Sequence, residues 1–128
     1  MTRVVLTAAV VAMLSATGGG QTSSDPRVVN IVAERFAFTP SDIRVPQGTV
    51  VELRISSDDT DHGFRLSGPV GDESALITDV AIPKRGRGDV RIRFDAAMPG
   101  RYTFECSHVC GAGHGFMRGS IRVEGKRP

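Results

Sequence analysis

From Val28 onward the chain alternates apolar and polar positions in short runs. Glycine or proline interrupts those runs about every eight to twelve residues, the punctuation of a strand-rich chain. Val28-Val29-Asn30-Ile31-Val32-Ala33 is rich in β-branched residues, Phe36-Ala37-Phe38 alternates, and Thr39-Pro40-Ser41-Asp42 reads as a turn. Ile43-Arg44-Val45 alternates again, Pro46-Gln47-Gly48 turns, and Thr49 to Ile55 places Val51, Leu53 and Ile55 on one face of a sheet. A polar loop, Ser56 to Asp61, ends at His62, after which Phe64 and Leu66 sit two apart as on a short strand. Gly68 to Ser74 reads as loop, Ala75-Leu76-Ile77 and Val80-Ala81-Ile82 as apolar stretches, and Lys84-Arg85-Gly86-Arg87-Gly88 as a basic turn. Val90 to Phe94 alternates cleanly, Met98-Pro99-Gly100 turns, and Tyr102-Thr103-Phe104 and Ser120 to Val123 complete the set. Past the N-terminal segment no stretch keeps a helical period over ten or more residues. The expectation is one small all-β domain, a sandwich or a barrel.

The N-terminal segment follows a different pattern. Arg3 precedes an apolar run from Val4 to Leu14, and small residues follow from Ser15 to Gly20. A positive start, a short apolar core and small residues behind it fit a secretory leader over residues 1–20. The run is shorter than the ~20 apolar residues a membrane span needs. An uncleaved anchor or a buried N-terminal helix is the competing reading. Residues 21–27 then form a flexible lead-in and residues 28–125 the folded domain, placed in the periplasm or otherwise outside the cytoplasm, with no membrane span after leader cleavage. The formal charge of the whole chain is +2. With no basic face interleaved with aromatics, nothing points to nucleic acid. Trp is absent and Tyr102 is the only tyrosine.

Candidate chemistry is concentrated in residues 106–117, Cys-Ser-His-Val-Cys-Gly-Ala-Gly-His-Gly-Phe-Met. Both cysteines lie there, with two of the three histidines. Soft sulfur donors beside imidazole suit copper or zinc and not magnesium or calcium. If Tyr102-Thr103-Phe104 and Ile121-Arg122-Val123 are neighbouring strands, this stretch is the loop at one pole of the domain. Gly111, Gly113 and Gly115 let it coil back on itself. His62, between a loop and a strand, can reach the same pole. Other readings stand beside this one. In an oxidising compartment Cys106 and Cys110 can form a disulfide. Cys106, Cys110, His114 and His62 can bind zinc, and Met117 or His62 alone can be packing residues.

The spacing Cys-x-x-x-Cys-x-x-x-His-x-x-Met resembles the loop of the CuA domain of cytochrome c oxidase subunit II. Phe38 to Gly48, Asp61-His62-Gly63-Phe64 and Pro99-Gly100-Arg101-Tyr102 are similar to the corresponding cupredoxin segments. The resemblance implies a cupredoxin-like Greek-key β-sandwich. It also implies a dinuclear copper site in which Cys106 and Cys110 bridge two ions and His62 and His114 each bind one. Met117 and the backbone carbonyl of His108 would be the weak axial donors. The implied role is electron transfer with a c-type cytochrome or an oxidase as partner, in a module without a substrate site of its own. A copper carrier of the same fold and a disulfide-bonded structural module are the alternatives.

Overall fold

Strand formation follows the alternation in the sequence. The computed structural model describes residues 25–70 and 73–128, so the expected leader at 1–20 lies outside the described residues. Nine strands occur among those residues: β1 (Arg27–Glu34), β2 (Ala37–Thr39), β3 (Asp42–Pro46), β4 (Thr49–Ser57), β5 (His62–Val70), β6 (Glu73–Ile82), β7 (Val90–Ala96), β8 (Gly100–Glu105) and β9 (Arg118–Glu124). One four-stranded sheet has the order β2-β1-β4-β7, and a five-stranded sheet the order β3-β9-β8-β5-β6. β1 runs parallel to β4 and β3 parallel to β9, while the other neighbours are antiparallel. Most connections pass from one sheet to the other, so both sheets close over one core.

The inward faces are the apolar positions read from the pattern. Val51, Leu53 and Ile55 of β4 are fully buried, and Ile92, Phe94 and Ala96 of β7 face the same core. Alternate residues of β3, β8 and β9 are buried in the same way. Phe38, Phe64 and Phe104 form a three-ring cluster with centroids 5.1–5.5 Å apart. Each such aromatic pair adds about 0.5–1.5 kcal/mol beyond its buried area. Phe64 follows His62 by two residues and Phe104 precedes Cys106 by two, so the cluster fixes both ligand-bearing strands where they leave the core. Tyr102 is buried, and its hydroxyl donates to Met98 O at 3.1 Å, closing the turn before β8.

The expected loop from Gly68 to Ser74 is instead mostly strand. β5 continues to Val70 and β6 begins at Glu73, with an irregularity at Leu66/Ser67. The pattern hid this because β5 pairs with β8 only over Arg65–Ser67. Pro69 lies beyond that contact, where its missing N–H removes no bond to β8. β6 is an edge strand with Leu76 and Ile77 exposed. No helix among the described residues is long and apolar enough to cross a membrane.

Candidate metal centre

The 106–117 segment joins β8 to β9 as expected, with Tyr102 opposite Ile121 and Glu105 opposite Arg118. Cys106 N–H donates to Met117 O at 3.0 Å and ties the ends of the loop together. Inside it a 3₁₀ turn, His114–Phe116, is closed by Phe116 N–H to Gly113 O at 3.0 Å. Gly111 has φ of 142° and a Cβ there would strike the Phe36 ring, while Gly113 lies still closer to the same ring. Gly115 is different: a Cβ would meet nothing within 4 Å, so it is not needed for the coil. Phe36 lies in the β1–β2 turn, which therefore braces the loop. Arg35 of that turn donates from Nε to Cys110 O at 2.9 Å.

All six residues singled out in the sequence bring a donor atom to this pole. Cys106 Sγ and Cys110 Sγ are 3.6 Å apart. A disulfide would hold them at about 2.05 Å, so these are two free, buried thiols. Cys106 Sγ lies 4.0 Å from His62 Nδ1, and Cys110 Sγ lies 4.0 Å from His114 Nδ1. The His108 carbonyl is 3.0 Å from Cys106 Sγ and Met117 Sδ is 3.9 Å from Cys110 Sγ. The His108 side chain itself is exposed. His62, Cys106 and Cys110 present atoms that all lie within 4.8 Å of one another. Donors about 2.0–2.3 Å from a four-coordinate ion stand about 3.3–3.8 Å apart. The sulfur–sulfur separation lies within that range and the two sulfur–imidazole separations just above it, and the softness of the donors fits a thiophilic metal. Each thiol has its own imidazole and its own weaker donor, which is more than one tetrahedral ion uses.

His62 is 0% exposed, and its ring is held from behind. Nε2 lies 2.7 Å from Asp59 Oδ1. The carboxylate accepts, so Nε2 carries the proton and Nδ1 turns its lone pair toward the cysteines. Burial by itself would push the Asp59 carboxyl up. Hydrogen bonds from His62 and from the Arg35 and Thr60 backbone outweigh it and bring the group down to about 2. Arg35 N–H donates to Asp59 Oδ2 at 2.9 Å, so the β1–β2 turn touches both the Cys110 loop and the carboxylate behind His62. The basic turn after β6 supports the same loop, with Lys84 N–H on Asp61 Oδ1 at 2.8 Å. Asp59 was not singled out in the sequence, where Asp58, Asp59 and Asp61 look alike. Cys110 is pushed up to about 11, first by burial and then by the neighbouring Cys106 thiol.

Outside the donors the pole is apolar and open. Phe116 is 85% and Val109 77% exposed. His114 is partly exposed beside them.

A family model described as MSMEG_3727_PQQ-assoc, PQQ-associated, matches residues 2–128. Cytochrome c oxidase subunit 2 of Thermus thermophilus is 32% identical over 104 residues, covering 81% of this chain and 70% of that protein. Among solved structures, a heme-copper terminal oxidase dimer is similar at 26% identity and a TM-score of 0.60, covering 89% of this chain and 76% of that one. Auracyanin A, a blue copper protein from Chloroflexus aurantiacus, is similar at 21% identity and a TM-score of 0.62, covering 77% of this chain and 99% of that one. This last likeness bears on fold alone and agrees with a cupredoxin-like sandwich.

Proposed function

The chain belongs to the PQQ-associated family and, with it, to the relatives of cytochrome c oxidase subunit 2, and on that premise we propose that it is an exported electron-transfer domain with a dinuclear, CuA-like copper centre. One observation carries the dinuclear reading. Two unbonded thiols stand 3.6 Å apart, and each has a separate imidazole at 4.0 Å. His62, Cys106, Cys110 and His114 would hold the ions, with Met117 and the His108 carbonyl as weak donors. Copper held there would supply a one-electron couple, with Cys106 and Cys110 as its sulfur donors.

The chain's own residues keep that site stiff. Asp59 fixes the tautomer of His62, Arg35 holds the Cys110 carbonyl, and the Phe38–Phe64–Phe104 cluster anchors the strand ends. Ligands that barely move between oxidation states keep electron transfer fast. The exposed Val109 and Phe116 give a partner an apolar face beside His114. A terminal oxidase or a c-type cytochrome is the partner class that the relationship to subunit 2 supports.

Substitution of single ligands tests the assignment. Cys106→Ser and Cys110→Ser each remove the two-copper spectrum. Met117→Leu retains both ions and shifts the potential, and His108→Ala leaves both in place because only its carbonyl is used. A two-copper spectrum that survives Cys110→Ser overturns the assignment. A single, readily exchanged Cu(I) in the unmodified protein assigns it to copper delivery instead.

A further inference from the structure

The outer face of the five-stranded sheet carries two rows of charge built on opposite rules. Beside the metal loop, Arg118, Glu105, Arg65 and Asp79 stand in register across β9, β8, β5 and β6. Their signs alternate, and Arg65 lies 2.8 Å from Asp79 and 3.7 Å from Glu105. Four residues further along the strands, Arg44, Arg122 and Arg101 stand in register across β3, β9 and β8. Like charges placed directly opposite destabilise a sheet. Arg44 reaches Glu124 at 3.6 Å, but among the described residues Arg101 and Arg122 form no ion pair. The first row shows that this sheet can balance its charges, so the second is a departure that needs a reason.

Between the rows runs a trough of about 630 Å³, walled by four arginines, Arg65, Arg101, Arg118 and Arg122, against two carboxylates, Asp42 and Glu105. Its floor is the hydroxyl row Ser67, Thr103 and Ser120. At one end it shares Arg65, Glu105 and Arg118 with a recess of about 190 Å³ whose wall includes Cys106, His114 and Met117. The rows are about 13 Å apart along the strands, too long for one small anion and suited to several carboxylates on an extended segment.

We propose that this trough docks an acidic segment on the surface of the protein's electron-transfer partner. The unmatched arginines supply attraction, the hydroxyls donate to carboxylates and accept from backbone N–H groups, and continuity with the recess brings the partner to the His114 edge of the centre. Electrostatic complementarity of this kind sets encounter rate and orientation more than affinity. The inference rests on the electron-transfer reading above, but its first test does not.

That test titrates octaglutamate into ¹⁵N-labelled protein, both copper-free and copper-loaded, at low ionic strength. Amide shifts are expected at Ser67, Arg101, Thr103, Ser120 and Arg122, are lost in high salt, and do not occur with octalysine. Arg101→Glu combined with Arg122→Glu weakens octaglutamate binding by about tenfold or more, and the Gln double variant weakens it less. In the loaded protein the same reversal slows one-electron transfer from a reduced acidic c-type cytochrome to the oxidised centre, while a small uncharged reductant reacts at the original rate. Shifts confined to the four-stranded sheet, or an affinity unchanged by charge reversal, overturn the proposal. So does inorganic phosphate that displaces octaglutamate at equal concentration, which makes the trough a small-anion site. If copper fails to load as two ions, octaglutamate binding still reads the trough. If octaglutamate fails to bind, the copper spectra stand.

Discussion

Gly63→Ala probes how the two ligand-bearing segments are held at their working distance. A Cβ on Gly63 would lie 2.6 Å from His108 N and 3.0 Å from the Ser107 carbonyl carbon, with Ser107 Oγ closer still. The first two are backbone atoms, so relief cannot come from a side chain swinging away. Ordinary contact begins at about 3.5 Å, so His108 must retreat by roughly 0.9 Å. His62 is the chain neighbour of Gly63, and the retreating segment carries both thiols. The 4.0 Å separation of His62 Nδ1 and Cys106 Sγ therefore widens. A functional site tolerates about 0.5 Å of misplacement, less than the shift required. Overpacking of this kind costs about 1–3 kcal/mol, and each kcal/mol lowers the Tm of a domain this size by roughly 4–8 °C. The assay pairs thermal melting with copper stoichiometry and electron spin resonance, using Gly115→Ala as the control in the same loop. Gly63→Ala is expected to fold, melt lower and hold fewer than two coppers, while Gly115→Ala keeps both. A Gly63→Ala protein with wild-type melting and an unchanged two-copper spectrum would mean that the close approach of Gly63 to His108 does not set the ligand spacing.

Three further outcomes follow from named contacts. Asp59→Ala frees the His62 ring and lowers copper affinity about 10–100-fold in chelator competition, and Asp59→Asn, which keeps an oxygen at Oδ1, recovers part of the loss. Copper uptake releases at least the Cys110 proton, since that thiol is raised to about 11. Apparent affinity therefore rises with pH through neutrality, as calorimetry in buffers of different ionisation enthalpy will read. Glu52, beneath Arg54 and Arg93, has its carboxyl lowered from 4.5 by hydrogen bonds from Arg54 first and then Arg93. A carboxyl lowered on folding stabilises above its unfolded pKa and loses that contribution as pH falls through the folded one. Acid melting curves should therefore drop below about pH 4.5, and Glu52→Gln should flatten that drop.

The strand alternation was legible because it records burial directly: Val51, Leu53 and Ile55 are inward, as period two requires. The donors were legible because Cys106, Cys110, His114 and Met117 share one short loop. His62 needed only the idea that loops at one end of a sandwich converge. What stayed hidden depends on register or on contacts between distant segments. Arg44, Arg122 and Arg101 come from three strands, and only the pairing of β3, β9 and β8 reveals that they stand in a row. Asp59 is one of three similar aspartates before His62, and only the turn that follows selects it. The bracing by Arg35 and Phe36 crosses 75 residues to reach Cys110 and carries no local signal. Gly68 to Ser74 reads as loop because its glycine and proline resemble turn residues, whereas Gly68 is there to let the Tyr102 ring approach the strand.

In the proposed centre two thiols and two imidazoles hold a pair of copper ions. Copper counted per chain, on the same sample that gives an electron spin resonance spectrum, tests it most directly. Two coppers per chain are expected, with a hyperfine pattern of one unpaired electron shared equally by two copper nuclei. One copper per chain with the hyperfine pattern of a single nucleus, or a protein whose site takes up zinc and refuses copper, contradicts it.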